Sequence, residues 1–404
     1  MSRFQFSAFL AILTSFLVVG FLYLDLSLLK RLLPARRARQ IARIALAGLL
    51  GLQFVVQPVY RGSIPYTWSG PGWAFSWVSF TFLGFAAFLF SYSFFADAGR
   101  ALWVVYERLS TRFGVAGIDS SKRLWLTRQV PAVIVGASAF STLGGVLQAR
   151  VVPSVETVEV PIPGLPIEFD GFSIAQISDL HIGPTIGSSF VHEVVARTNA
   201  ADADVIALTG DMVDGFTKQL RAVHSVLGQL RARDGVYFVT GNHEYFWNAP
   251  EWLEEYPGLG IVPLTNENRL IHRGRAELAI GGIPDVIANR FVPSHVPDIR
   301  RAFEGVSGAA VKVLLAHQPG PVFEALREEV HLQLSGHTHA GQFYPFNFFV
   351  RLAYKHYKGL YTIHSQGGHR TTLYVNRGTG YWGPPIRLGV SPEITKIVLR
   401  REIV

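Results

Sequence analysis

The chain has 404 residues, 49% of them hydrophobic and only 16% charged, with a net charge of +8 and no cysteine. That balance is too apolar for an ordinary soluble protein, the length admits two or three domains, and the lack of cysteine excludes disulfides and thiolate metal ligands. Residues 1–150 carry 15 Lys and Arg against 4 Asp and Glu (+11) and the rest carries 22 against 25 (−3), so the basic surplus lies in the apolar part and no nucleic-acid partner is expected.

Four uncharged runs come first. They are Gln5–Leu24 (20 residues), Ile44–Tyr60 (17), Trp73–Ala96 (24, with eight phenylalanines) and Val130–Gln148 (19). A helix needs roughly 20 apolar residues to cross the hydrocarbon core, so residues 1–150 are read as a transmembrane domain of about four helices. The second run is short and is broken by Gln53, Gln57 and Pro58. No A-x-A cleavage site follows the first, which is therefore read as retained. Lys30, Arg31, Arg36, Arg37, Arg39 and Arg43 separate the first two runs, and Arg100, Arg108, Arg112, Lys122, Arg123 and Arg128 the last two. The N-terminal tail and the second loop offer only Arg3 and Arg61. The positive-inside rule then puts both termini, and everything after Arg150, outside the cytoplasm. The runs hold no ionisable residue, which favours an anchor over a transport pathway.

Residues 151–170 carry Pro153, Pro161, Pro163 and Pro166 and read as an extended linker or edge strand. From 171 to 404 strands and helices alternate. The strand-like segments are FSIAQISDLHIG, DVIALTGDMVD, GVYFVTGNHE, VKVLLAHQP, HLQLSGHTH, TTLYVNRG and EITKIVLRREIV; Ser188–Ala200, Lys218–Arg231 and VFEALREEV read as helices. This alternation predicts α/β layering with strands buried on both faces.

Five of these strands end in clusters of Asp, His or Asn: Asp179-Leu180-His181, Gly210-Asp211, Gly241-Asn242-His243-Glu244, His317 and Gly336-His337-Thr338-His339. In open α/β sheets ligands bind beyond the carboxyl ends of the strands, so the five ends can converge. Asp179, His181, Asp211, Asn242, His317, His337 and His339 then supply two carboxylates, one amide oxygen and four imidazoles. Such a set suits Zn, Fe, Mn or similar divalent ions, and seven donors are too many for one tetrahedral site. Two metals with a shared carboxylate would clamp the attacking and leaving oxygens of a phosphoryl transfer.

The ordered set DLH, GD, GNHE, AHQP and GHTH, over Asp179 to His339, resembles the calcineurin-like metallophosphoesterases. A lone Gly-Asp is most often a turn, but five motifs in order after apolar strands are specific. The resemblance implies a two-sheet sandwich flanked by helices. It also implies two divalent ions, the first held by Asp179, His181 and His339, the second by Asn242, His317 and His337, with Asp211 bridging. His243 would then be a general acid or transition-state stabiliser, and Asp214 and Glu244 orienters of the ligands. His192, His224, His272, His295 and His331 read as structural. Arg377, His364 and Tyr344 are candidates for a substrate rim. Tyr344–Tyr361, rich in aromatics and carrying Arg351, Lys355 and Lys358, reads either as an interfacial segment dipping beside the site or as a core helix with a basic face.

The arrangement also resembles a bacterial, membrane-anchored subgroup of the family, whose members and lipid A pathway relatives cleave phosphoester or pyrophosphate bonds of lipid-linked compounds. The expectation is therefore an integral protein of a bacterial inner membrane, acting on a phosphomono- or phosphodiester, with membrane lipids as partners and a lipid head group among the substrates. The alternatives are a pyrophosphatase of UDP-sugar lipids at the cytoplasmic face and a non-catalytic metal-binding scaffold.

Overall fold

A computed structural model describes residues 14–15, 17–60, 71–112, 120–306, 308 and 310–402. Three long helices precede the first strand: α1 (Arg36–Tyr60), α2 (Pro71–Arg112) and α3 (Ser120–Ala149). Among the described residues, two helical stretches are long and apolar enough to cross a membrane, Gly72–Ser110 in α2 and Gln129–Ala149 in α3. Half of the expected run Gln5–Leu24 falls outside the described residues and the described half, 14–15 and 17–24, is helical, while Ile44–Tyr60 lies within α1, which is not one of the two. α1 opens on Arg36, Arg37, Arg39 and Arg43 and carries Gln53, Gln57 and Pro58, which lowers its hydropathy. The acids near these helices are paired: Arg43 donates to both Asp25 oxygens at 2.5 Å, and Asp97 accepts from Arg31 at 2.6 Å and Arg100 at 2.9 Å.

Twelve strands follow. They are β1 (Val155–Ile162), β2 (Ser173–Ile177), β3 (Val205–Leu208), β4 (Val236–Phe238), β5 (Ile261–Pro263), β6 (Glu267–Arg273), β7 (Ala276–Gly282), β8 (Val311–Leu315), β9 (Leu332–Ser335), β10 (Gly359–His364), β11 (Arg370–Val375) and β12 (Ile394–Arg401). They form two six-stranded sheets, ordered β1-β12-β2-β3-β4-β5 and β10-β11-β9-β8-β7-β6. β2 to β5 run parallel, in register Ile174↔Val205 and Ile206↔Val236. β7, β8, β9 and β11 are likewise parallel. The antiparallel edges β6 and β10 alternate or expose their side chains, as one-sided strands do.

The inner faces of the two sheets share one apolar core, with Ile174, Val205 and Ala207 on one side and Ile280, Val313 and Leu334 on the other. Helix α4 (Ser188–Ala200), lying where the periodicity predicts, covers the outer face of the first sheet through Val191, Val194 and Val195. The helix expected over Lys218–Arg231 is shorter. α5 spans Thr217–His224 and gives way to a tighter turn over Ser225–Gln229, where Gly228 lies against Leu259. Of the histidines read as structural, His224 is buried, His295 and His331 are partly buried, and His192 and His272 are exposed. Residues 155–162 form the edge strand β1, paired in parallel with β12.

The long helices pack directly on the sandwich. Ile386 is fully buried between α2 and α3, and a Cβ added at Gly84 or Gly145 would lie 2.1 or 2.5 Å from its side chain. Only glycine leaves room for that approach. The next residue, Arg387, donates its backbone N–H to the Gly145 carbonyl at 2.9 Å.

Candidate metal centre

All five motif clusters lie just past the carboxyl ends of parallel strands. Asp179 and His181 follow β2, Asp211 and Asp214 follow β3, and Asn242 and His243 follow β4; His317 follows β8, and His337 and His339 follow β9. Three of these strands belong to one sheet and two to the other, so the site straddles the sandwich at one end. The chain makes abrupt turns there. Asp179, His181, Asp211, His337 and His339 all have left-handed backbone, with φ of 52, 50, 56, 70 and 48°. Such conformations cost non-glycine residues on the order of 1–3 kcal/mol each and persist only where the surroundings enforce them. Regular strand geometry would send His337 and His339 to the same face but straight onward along the strand; the left-handed turns bend both back into the site.

Asp179, His181 and His339 offer ligand atoms within 4.8 Å of one another, as do Asp211, His317 and His337. His181 Nε2 lies 3.0 Å from His339 Nε2, and His317 Nε2 lies 3.3 Å from His337 Nδ1 and 3.1 Å from Asp211 Oδ2. His317 Nδ1 is 2.8 Å from the Thr209 carbonyl. A carbonyl only accepts, so Nδ1 carries a proton there and Nε2 is the ring nitrogen turned toward Asp211 and the site. Asn242 Oδ1 is buried with no hydrogen-bond partner. A buried polar atom left unpaired is costly, and a cation is the partner this acceptor-rich surrounding lacks. The residues present therefore fit a divalent-metal centre.

A second ring of contacts fixes these groups. Glu244 accepts from the backbone N–H of Asp211 at 3.0 Å, Met212 at 2.7 Å and Gly241 at 2.6 Å, tying the GD turn to the GNHE turn. The bond to Gly241 is the reach-back of an N-terminal helix cap. Burial pushes the Glu244 carboxyl up to about 7, with Asp211 adding to the effect and these N–H donors opposing it. Asp179 accepts from Ser178 Oγ at 2.6 Å and from the His337 N–H at 3.0 Å.

His243 donates from Nδ1 to Asp214 Oδ1 at 2.5 Å, and its Nε2 lies 3.9 Å from Asp211 Oδ2. Burial works against its charged form, but the Asp214 and Asp211 carboxylates outweigh burial and hold the imidazole up at about 9. Asp214 is buried too, yet His243 and His181 keep it well below the usual carboxylate range, and Trp247 Nε1 donates to it at 3.2 Å.

The rim candidates differ in their surroundings. The Arg377 guanidinium pairs with Glu156 at 2.5 Å and Glu393 at 2.7 Å. His364 is exposed at the end of β10, and Tyr344 is exposed on the loop after the GHTH motif. Other residues do touch the site. Tyr354 places its hydroxyl 3.0 Å from His337 Nε2, and Trp382, half exposed, stands edge-on to His243 with ring centroids 5.5 Å apart. Arg387 is fully buried: it donates to the carbonyls of Arg377, Gly378, Gly380 and His339, and its Nη2 is 3.1 Å from His339 Nδ1. Burial lowers its pKa to about 9 against the pull of Asp179 and Glu393. No spacing in the sequence points to Tyr354, Trp382 or Arg387, because each reaches the site by tertiary packing alone.

The family model for calcineurin-like phosphoesterases matches residues 172–341. A cattle protein described as a transmembrane protein with metallophosphoesterase domain is 38% identical over 307 residues, covering 73% of this chain and 68% of that one. A zebrafish protein of the same description is 33% identical over 404 residues, covering 97% and 89%. The chain belongs to the calcineurin-like metallophosphoesterases. It is a metal-dependent phosphoester hydrolase of a family that uses a dinuclear metal centre. An uncharacterized metallophosphoesterase of Bacillus subtilis, YkuE, is 28% identical over 288 residues, which cover 69% of this chain and 98% of that protein. Relatives described as transmembrane thus come from animals, so anchored members of the family are not confined to bacteria. The two helical stretches long and apolar enough to cross a membrane accord with the descriptions of these relatives.

Gly336 is the tightest point of the centre: a Cβ there would lie 1.9 Å from Ser178 Oγ and 2.1 Å from Asp179 Oδ2. Gly336→Ala is expected to displace the Asp179 carboxylate and lower metal affinity roughly 10–100-fold, as loss of a ligand-orienting contact does. Titration of the metal into chelator-stripped wild type and variant, with circular dichroism as the folding check, measures it. Equal affinities would contradict the assigned role of this close approach.

Proposed function

We propose that the chain is a membrane-anchored dinuclear-metal phosphoesterase that hydrolyses phosphomono- or phosphodiester bonds of substrates presented at the membrane, lipid-linked compounds among them. In this reading residues 1–150 form the anchor, of about four spans, and residues 171–404 the hydrolase domain. The observation that carries it is the convergence of Asp179, His181, Asp211, His317, His337 and His339 from two sheets, together with the buried, unpartnered Asn242 Oδ1.

Asp179, His181 and His339 would hold one ion, Asn242, His317 and His337 the other, and Asp211 would lie between them. When bound, two divalent ions polarise a phosphoryl group and acidify water. The chain's own residues do the rest. His243, charged and fixed through Nδ1 by Asp214, presents Nε2 toward the site. From there it donates a proton to the leaving oxygen as the phosphorus–oxygen bond breaks and water supplies the new one. Asp214 holds the imidazole in that orientation, and Trp247 holds Asp214. Glu244 keeps the turns bearing Asp211 and Asn242 in contact.

The purified protein should carry about two divalent ions per chain, as two-metal hydrolases do, and should cleave bis(p-nitrophenyl) phosphate when loaded with manganese. Asp211→Asn should reduce both metal content and turnover more than any other single ligand change, because it removes the charge between two cations. Full activity after exhaustive chelation would sink the mechanism, and a metal-loaded protein inert on every phosphoester tried would point to a scaffold.

His243→Ala should retain the metal yet lower turnover roughly 10²–10⁴-fold, with a larger loss for poor leaving groups. An equal loss across leaving groups would make His243 a charge stabiliser rather than a proton donor.

The charge bias of the loops supports an extracytoplasmic catalytic domain. Alkaline phosphatase fused after Val404 should be active, and a cytoplasm-only fluorescent reporter dark. The opposite pattern would move the site inside, where pyrophosphate bonds of nucleotide-linked lipids become the leading substrates.

A further inference from the structure

Past the GHTH motif the chain runs along helix α2 and then returns to the metal centre. Phe343 packs on Phe88 with ring centroids 5.0 Å apart, Phe348 on Phe95 at 6.3 Å and Phe349 on Phe94 at 6.4 Å. Phe88, Phe94 and Phe95 all lie within the apolar stretch Gly72–Ser110. Helix α6, here given to Asn347–Ala353, buries Asn347. Its other face shows Phe348, Arg351 and Leu352, at the i, i+3, i+4 spacing of one helical stripe. Phe348 is 50% and Leu352 72% exposed, beside Tyr344 at 50% and Phe346 at 42%. Arg351, Lys355 and Lys358 are exposed along the same segment. Large apolar side chains grouped at this exposure are not a water-facing pattern, and cations beside them are what an anionic head-group layer attracts.

We propose that residues 343–358 form a lipid-embedded lip of the catalytic domain, with the aromatic and leucine side chains in the bilayer and Arg351, Lys355 and Lys358 at its anionic head groups. The occupant is set by continuity: Phe94 and Phe95, themselves 43% and 40% exposed, belong to a membrane-crossing stretch. Whatever solvates them also meets the rings packed edge-on against them. Within the lip Tyr354 rests its hydroxyl on His337, so lipid contact and the metal centre are joined by one short segment. This inference rests on the membrane-anchored reading and gives it a specific surface.

Because the chain has no cysteine, single-cysteine variants carry a spin label at one position only. Full-length Phe348→Cys and Leu352→Cys are labelled and reconstituted into bilayers of phosphatidylcholine with phosphatidylglycerol. Val296→Cys, at a site 51% exposed on the sandwich, serves as the water-facing control. Oxygen concentrates in the bilayer and a neutral nickel chelate in water. The ratio of oxygen to nickel accessibility is expected to be several-fold higher at 348 and 352 than at 296, and to fall toward the control when the protein is moved to a lipid-free amphipathic polymer. A ratio equal to the control in bilayers overturns the proposal in favour of a water-facing helix. Poor access to both reagents overturns it in favour of a protein-covered face. The readout needs no turnover, so an inactive enzyme with a lipid-exposed label would refute the catalytic reading and leave this one standing.

Discussion

The centre depends on holding groups of one kind against each other. His181 and His339 meet nitrogen to nitrogen at 3.0 Å, and His317 meets both His337 and Asp211 within 3.3 Å. Imidazoles and carboxylates crowded into a buried space are costly to hold together. The rest of the domain pushes these acceptors together and prevents them from relaxing apart: left-handed backbone at five of the seven donors, the Glu244 clamp across two turns, and the Thr209 and Tyr354 contacts behind the imidazoles. Local strain at a cation site is the expected signature of such enforcement. The two-sheet architecture makes it affordable, because the turns hang from short strands with cores on both sides.

The fold and the convergence of the donor residues were legible in the sequence for one reason. Strands such as Val205–Leu208 are buried on both faces and so appear as unbroken apolar runs, and the candidate donors follow directly on those runs. Ser188–Ala200 was equally legible, because its apolar spacing faces a single sheet. Legibility fails where tertiary packing decides. The segment read as a helix through Arg231 tightens after His224 beside Leu259, and nothing local signals that neighbour. Arg377 looks available in the sequence, but Glu156 and Glu393, each distant in the chain, engage it. Tyr354 and Arg387 could not be singled out, since their chemistry depends on facing a histidine that only the fold supplies. In the membrane region hydropathy marks α2 and α3 plainly, while the arginines and glutamines of α1 blur the same signal.

The charged residues near the long helices fit the same economy. Asp25 faces Arg43, and Asp97 gathers Arg31 and Arg100. Paired in this way, neither Asp25 nor Asp97 is the unpaired acid that marks an ion route. The helices hold; the chemistry is kept at the carboxyl ends of the strands.

Ile386 and Arg387 are consecutive, yet they serve different halves of the molecule. The first is wedged between two glycines of the long helices, and the second grips the carbonyl and ring of His339. One peptide bond therefore links the packing of the long helices to the setting of His339. Trimming the helices away to obtain a soluble enzyme would unroof Ile386, withdraw the Gly145 carbonyl from its neighbour's N–H, and loosen the arginine that steadies a ligand. The long helices thus back the loop whose arginine holds His339.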